Sequence, residues 1–254
     1  MLERFGDILR RWRQEGRYSQ LQCALQANVS ARHLSFLETG RAQPSRSMVM
    51  QLGNCLSRSK QDINQAMLVA GFAPSYPKLS ADHTDLAPLH TALEQLLDNH
   101  MPFPAFVMDR HWNLVNANAV AVALFGELGF ANYTNLIEAI IADEGRHIIN
   151  WPEVLSLMLE RLRSEIAHFG IDEKLSALET QLADCVGWDK NGYTHNYGQA
   201  VIPTRFKLQG VEVSLFSILA QFGAVQDVFA SELKAELIFP MDEASREFFE
   251  KRFG

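Results

Sequence analysis

The sequence predicts two domains of different class, an all-α N-terminal domain and an α+β C-terminal domain, and three observations carry that expectation. As far as Gly71 the apolar residues recur at helical spacing behind a series of serines, whereas from Gln199 the spacing falls to two. Between these regions stands Gly71-Phe72-Ala73-Pro74-Ser75-Tyr76-Pro77, whose glycine and prolines stop a helix, followed by a polar run to Asp85. Charge divides at the same place: residues 1–75 carry 10 Lys and Arg against 5 Asp and Glu, and residues 76–254 carry 13 against 25. The expected organisation is a domain over 1–76, a linker over 77–85 and a second domain over 86–254.

A chain of 254 residues has material for two cores. A hydrophobic content of 47%, with 16 Phe, excludes disorder over most of its length. No apolar run reaches the ~18 residues of a membrane span. The N-terminus MLERFGDILRRWR is too charged for a signal peptide, so a cytoplasmic protein with no membrane partner is expected. Cys23, Cys55 and Cys185 are odd in number and far apart, which fits reduced thiols, Cys23 and Cys55 as small core residues. No Cys/His spacing suits zinc, and no metal is expected.

Residues 1–14 read as an amphipathic helix, with Leu2, Phe5, Leu9 and Trp12 on one face and Arg10, Arg11 and Arg13 elsewhere. Ser19 caps a short helix whose apolar positions Leu21, Ala24 and Leu25 fall at i, i+3, i+4. Asn28 suits the left-handed position after it. Ser30 caps the next helix, which turns Leu34 and Leu37 inward and Ala31, Arg32, Ser35 and Phe36 outward, and Gly40 ends it. Two short helices about a tight turn, the second polar and Arg-bearing, form the helix-turn-helix arrangement that places a helix in the DNA major groove. A basic domain fits phosphate binding. Two further helices follow, from Ser45 with Met48, Leu52 and Leu56, and from Ser59 with Ile63, Met67 and Leu68.

The Ser19-Gln20 opening, the small Ala24, the turn Asn28-Val29-Ser30 and the closing Leu37-Glu38-Thr39-Gly40 resemble the Cro/C1-type (XRE) helix-turn-helix family. The resemblance implies that Gln20 contacts backbone and base edge, that Ala31 and Arg32 read bases, and that Ser30 and His33 lie nearer the phosphates. Phe36 holds a third base-facing position, where a polar residue is commoner. It either touches a thymine methyl or packs on the protein's own surface. Arg41, just past the second helix, and Arg10 are placed to meet the DNA backbone. The expected partner is a double-stranded operator bound by a homodimer.

In the second domain Asp85 is expected to cap a helix carrying Leu86, Leu89, Leu93, Leu96 and Leu97. Pro104–Asp109 and Trp112–Asn116 read as strands about the turn Asp109-Arg110-His111, and Asn118–Phe125 as a small helix, the way a PAS-type sensor begins. Asn150, Pro152 and Glu153 make a helix start whose apolar face runs to Gly170, and Asp172 caps another helix as far as Gly187. From Gln199 a long hairpin turns at Gln209-Gly210 and runs to Gln221; Leu233–Phe239 is a third strand, and Asp242 caps a terminal helix. Strands at both ends of a helical middle describe a PAS-like α+β sheet with helices over one face.

GRAQPS, GFAPSY, DRHWNLVNANAVAVALF, NWPEV followed by LERLRSE, and FGAVQDVFASELKAELIFPMDEAS together resemble the MmyB-like branch of XRE regulators. The resemblance implies a PAS-like ligand-binding domain and, as ligand, a fatty acid or similar small apolar molecule, with no other cofactor. Such a site needs an apolar pocket with a few polar groups. Candidate walls are Phe106, Met108, Trp112, Phe125, Met158, Leu162, Phe206 and Phe216, each of which also reads as plain core. Arg161 and Arg205 are candidates to meet a carboxylate, or else are solvated or ion-paired. The other reading of this domain is a protein-interaction module, antitoxin-like or co-regulatory. His147, His168 and His195 with Asp143 and Glu144 match no metal or acid–base signature, no nucleotide or nucleophile motif is present, and catalysis is not expected.

Overall fold

The computed structural model describes residues 3–80, 83–169, 172–186, 201–222 and 225–254. Contacts divide the chain into two compact units. The first is Met1–Leu79 with Arg163–Asp172 and Gln226–Val228, and the second is Ser80–Leu162, Glu173–Val225 and Phe229–Gly254.

The N-terminal region is helical: α1 (Phe5–Glu15), α2 (Gln20–Gln26), α3 (Ala31–Glu38), α4 (Arg46–Cys55) and α5 (Lys60–Val69). The last four begin alike. Ser19, Ser30, Ser45 and Ser59 each accept a hydrogen bond from the backbone N–H three residues on, which satisfies one of the donors a helix start leaves open. Asn28 at φ +50° makes the turn between α2 and α3. Phe5, Ile8, Leu9, Trp12, Leu34, Leu37, Leu52, Ile63 and Met67 form the core.

The buried face of α2 differs from the expected one. Leu21 and Leu25 are 60% and 72% exposed; Ala24 and Cys23 face the core as expected, and Ala27 joins them. Small side chains let so short a helix lie close to its neighbours, so size outweighs hydrophobicity here. Leu2, expected on the apolar face of α1, lies outside the described residues. Close approach recurs at Gly6 of α1, where an added Cβ would stand 2.5 Å from the carbonyl oxygen of Leu37 and 2.6 Å from that of Glu38.

The second unit opens with a 3₁₀ turn, Thr84–Leu86, and α6 (Ala87–Asn99). The cap is His83, whose Nδ1 accepts from the Asp85 N–H, rather than Asp85 itself. Then come β1 (Ala105–Met108), β2 (Leu114–Ala117), α7 (Ala119–Glu127), α8 (Leu136–Asp143), α9 (Trp151–Phe169) and α10 (Glu173–Val186). β3 (Thr204–Leu208), β4 (Val211–Gln221), the single turn α11 (Val228–Ser231), β5 (Lys234–Pro240) and α12 (Glu243–Phe253) complete it. The expected start of the long hairpin at Gln199 and Ala200 lies outside the described residues.

The five strands form one antiparallel sheet in the order β2-β1-β5-β4-β3. The last strand in sequence is thus the middle strand of the sheet. β1 and β2 pair as expected, with a register shift between Val107 and Met108. Gln209 and Gly210, at φ +49° and +83°, make the tight turn between β3 and β4.

Helices cover both faces of the sheet, not one. Ala105, Val107 and Ala235 pack against Leu93 and Leu97 of α6. The alternate residues Phe106, Glu236 and Ile238 border a cleft whose other side is Leu124 and Phe125 of α7 and Leu136 and Ile140 of α8. The reason is visible in β1, where all four residues are buried, as an unbroken apolar run requires. Asn150 stands at the start of α9 as expected, its carbonyl accepting from the Val154 N–H and its Nδ2 donating to Glu153 at 2.9 Å. Its side chain does more: Oδ1 accepts from the Arg205 N–H at 2.8 Å and Nδ2 also donates to the Pro203 carbonyl at 2.9 Å, tying the start of α9 to β3.

Gly6→Ala should destabilise the chain by about 1–3 kcal/mol, because the new methyl group meets backbone rather than a side chain that can move. Gly126→Ala, in α7 with nothing within 4 Å of the added Cβ, should instead stabilise by about 0.5–1 kcal/mol. Chemical denaturation followed by circular dichroism measures both, and equal effects would show that the close approach at Gly6 is not the constraint.

Candidate functional site

Two places carry the candidate residues, one in each unit. In the first, α2 and α3 are set by Glu38, the last residue of α3, which is only 1% exposed. Arg13 of α1 makes a two-pronged contact with its carboxylate, Nε to Oε1 at 2.6 Å and Nη2 to Oε2 at 3.1 Å. Gln20, the first residue of α2, donates from Nε2 to Oε2 at 2.8 Å. Arg10 adds a donor to the Glu38 carbonyl at 3.2 Å and an ion pair at 3.8 Å. Burial alone would raise the Glu38 carboxyl's pKa; hydrogen bonds from Arg13 and Gln20 and the charges of Arg13 and Arg10 outweigh it and hold it below the usual range. The hydrogen bond to Glu38 raises Arg13 against the opposing effect of its burial. Beside them the Cys23 thiol is pushed up to about 11, chiefly by burial, which leaves it unreactive as expected of a core cysteine.

The outward face of α3 is left open. Arg32 and Arg41 are exposed and pair with no carboxylate among the described residues. The Arg32 guanidinium lies over the Phe36 ring, 5.3 Å from its centroid, and Phe36 is half-buried. Ala31 and His33 are half-buried beside them. The Ser30 hydroxyl is occupied as the cap of α3, accepting from the His33 N–H. Arg10 and Gln20 likewise have internal partners, which fixes where they stand.

In the second unit a cleft of about 100 Å³, part of it open to solvent, lies between the sheet and α7 and α8. It is smaller than the ~300–1,000 Å³ of a typical small-molecule site. Phe106, Phe125, Phe206 and Phe216 border it, with Leu124, Leu128, Phe130, Leu136, Ile140, Leu215 and Ile238. The Phe106 and Phe125 rings meet at 5.3 Å, whereas the Phe216 ring stacks on Phe239 at 5.6 Å. Thr204 and Ser217 supply hydroxyls, and Glu236 the charge.

The other sequence candidates stand elsewhere. Met108, Trp112, Met158 and Leu162 are buried but do not border this cleft. Arg161 donates from Nη1 to Glu236 Oε2 at 3.1 Å and stacks 4.3 Å from the Trp112 ring centroid. Arg205 reaches Glu212 at 3.5 Å on the exposed side of β3. Among the described residues, the charged side chain bordering the cleft is therefore an acid, Glu236. Sequence reasoning missed it because the Arg161–Glu236 pair joins residues 75 apart, and only the strand alternation Glu236/Ile238 carries a signal.

Among the histidines, His147 donates its backbone N–H to the buried Asp143, whose carboxylate also lies 2.8 Å from His147 Nδ1 and accepts from the Ile148 N–H. Asp143 thus pins the loop after α8. The side chain of His168, and all of His195, lie outside the described residues, among which no group of His, Cys, Asp and Glu could hold a metal.

Residues 89–251 match the family model of the MmyB-like transcription regulator ligand binding domain. The chain belongs to the MmyB-like transcription regulators. The matched stretch contains the sheet, α7, α8 and every residue that borders the cleft. Nothing among curated proteins matches the chain. No helix of the described residues is long and apolar enough to cross a membrane.

Because its folded-state carboxyl is depressed, Glu38 contributes stability that is present above its unfolded value of about 4.5 and is lost as pH falls through the folded value. Glu38→Gln should cost about 3 kcal/mol at neutral pH, leaving Arg13 without its counter-charge, and should flatten the stability lost below pH ~4.5. Thermal melts across pH 3 to 7 give the check; an unchanged acid slope in the variant would remove Glu38 as its source.

Proposed function

We propose that this MmyB-like chain is a sequence-specific, DNA-binding transcription regulator of the XRE helix-turn-helix type, cytoplasmic, dimeric on its operator and without catalytic activity. The single observation that supports it best is the contrast across α3. Its inner end is locked by Glu38 to α1 and α2, while its outer face presents Arg32, Ala31 and Phe36 with no carboxylate among the described residues to neutralise the arginine. Arg32 is the principal base reader, with guanine as its natural partner, and Gln20 the second. Ser30, His33, Arg41 and Arg10 serve the phosphates. The Arg32 guanidinium over the Phe36 ring supports the second of the two roles left open for Phe36, packing on the protein's own surface.

The PAS-like second domain senses a small apolar ligand, of which a fatty acid is one example, in the cleft bordered by Phe106, Phe125 and Phe206. Such a ligand regulates only if it binds one arrangement of the dimer better than another. It would then move the two α3 helices into or out of half-site register.

Arg32→Ala should weaken a selected operator by ~1–3 kcal/mol and relax base choice at one position, while leaving random DNA nearly unaffected. Selection of binding sites from a random library, followed by fluorescence anisotropy at fixed salt, tests both statements. Uniform weakening on all sequences would reduce Arg32 to a phosphate contact, and no selected sequence at all would sink the DNA-binding reading. Phe36→Leu should lower discrimination at the same base as Arg32→Ala, since an unstacked guanidinium loses its fixed orientation.

A further inference from the structure

Glu236 sits where an ordinary core strand would carry an apolar residue. It lies on β5, the middle strand, with Phe106 of β1 as its cross-strand neighbour, and its side chain is only 9% exposed. It borders the cleft together with Phe106, Ile238 and Ser217. Of its two carboxylate oxygens, Oε2 accepts from Arg161 at 3.1 Å, and Oε1 has no hydrogen bond among the described residues. Oε1 is not fully buried in the open cleft, but a ligand that fills the cleft shuts it off from solvent, and a carboxylate oxygen so enclosed is costly to leave without a donor. Arg161 in turn lies over the Trp112 ring, 4.3 Å from its centroid, and does not border the cleft.

We propose that the cleft selects a neutral apolar molecule bearing a hydrogen-bond donor, of the long-chain alcohol class, whose hydroxyl donates to Glu236 Oε1. This rests on the reading of the cleft as the ligand site and fixes the polarity of what enters it. A simple carboxylate is disfavoured at this end, since it brings a second negative charge to a side chain that already has one and offers no donor at neutral pH. An ester of the same length avoids the charge but only accepts, so it leaves Oε1 unpaired. A site built to bond a hydroxyl rejects the analogue lacking it far more strongly than an apolar wall rejects an altered chain length. Thr204 and Ser217, whose hydroxyls both donate and accept, border the same cleft and do not change that preference.

The test is a titration of the purified full chain with decanol, methyl decanoate and decanoate, read by calorimetry and by the rise in melting temperature. Decanol should bind most tightly, with methyl decanoate and decanoate each about ten- to a hundredfold weaker. Glu236→Gln, which removes the charge and adds a donor, should narrow the gap to decanoate. Decanoate or the ester binding as tightly as decanol to the unaltered chain would overturn the proposal and leave the apolar cleft standing as the ligand site. Binding of none of the three would overturn the cleft as well. The comparison within the unaltered chain decides the matter even if Glu236→Gln does not fold.

Discussion

The geometry of the N-terminal helices depends on one buried carboxylate. Helices of seven and eight residues, the lengths of α2 and α3, do not persist in water alone, so their placement must come from tertiary contacts. Apolar packing brings them together without fixing their angle, because Leu34 and Leu37 accept many approaches. Glu38 is directional. Its two oxygens hold Arg13 of α1 and Gln20 of α2 at once, and its carbonyl takes Arg10, so three helix segments share one hub. The close crossing at Gly6, against the carbonyls of Leu37 and Glu38, places α1 within reach of that hub. Everything presented on the outer face of α3 inherits its position from this inner end.

Asn118 plays the corresponding part in the second unit. It is 3% exposed, and its Oδ1 accepts from the N–H groups of Ala105 and Ala121 while its Nδ2 donates to the carbonyls of Leu97 and Phe103. One amide thereby joins the end of α6, the start of β1 and the start of α7. Since α6 covers one face of the sheet and α7 the other, this amide sets the separation between the layers. The cleft lies under α7 where the sheet carries Thr204 and Ser217, residues too small to fill the space that the phenylalanines around them enclose.

What the sequence made legible was local, and what it hid was long-range. The serine caps, the left-handed Asn28, the turn at Gln209-Gly210 and the cap at Asp242 depend on residues within four positions of one another, and each stands as expected. The outward turn of Leu21 and Leu25 was hidden because they outrank Cys23, Ala24 and Ala27 in hydrophobicity, while the close approach of α3 favours the smaller residues. The middle position of β5 was hidden because strand order is not written in any strand's own pattern. At the cleft, the phenylalanines were legible as apolar and the arginines as cationic, but which arginine meets which acid was not. Arg161 pairs with Glu236 and Arg205 with Glu212, so both candidate anion anchors are already engaged.

That engagement changes what the cleft can do. A cleft bounded by phenylalanines and leucines binds apolar matter of the right size with little discrimination, each added methylene being worth under about 1 kcal/mol. A regulator needs discrimination as well as affinity, and a buried acid whose second oxygen awaits a donor supplies it as a penalty on every ligand that lacks one. The cost of burying Glu236 is borne in part by Arg161, which itself rests on Trp112. An apolar residue at 236 would make a better core. On the proposed reading the acid is best understood through what it excludes: selectivity would rest on Glu236, the ionisable side chain that borders the cleft among the described residues, rather than on the many apolar ones.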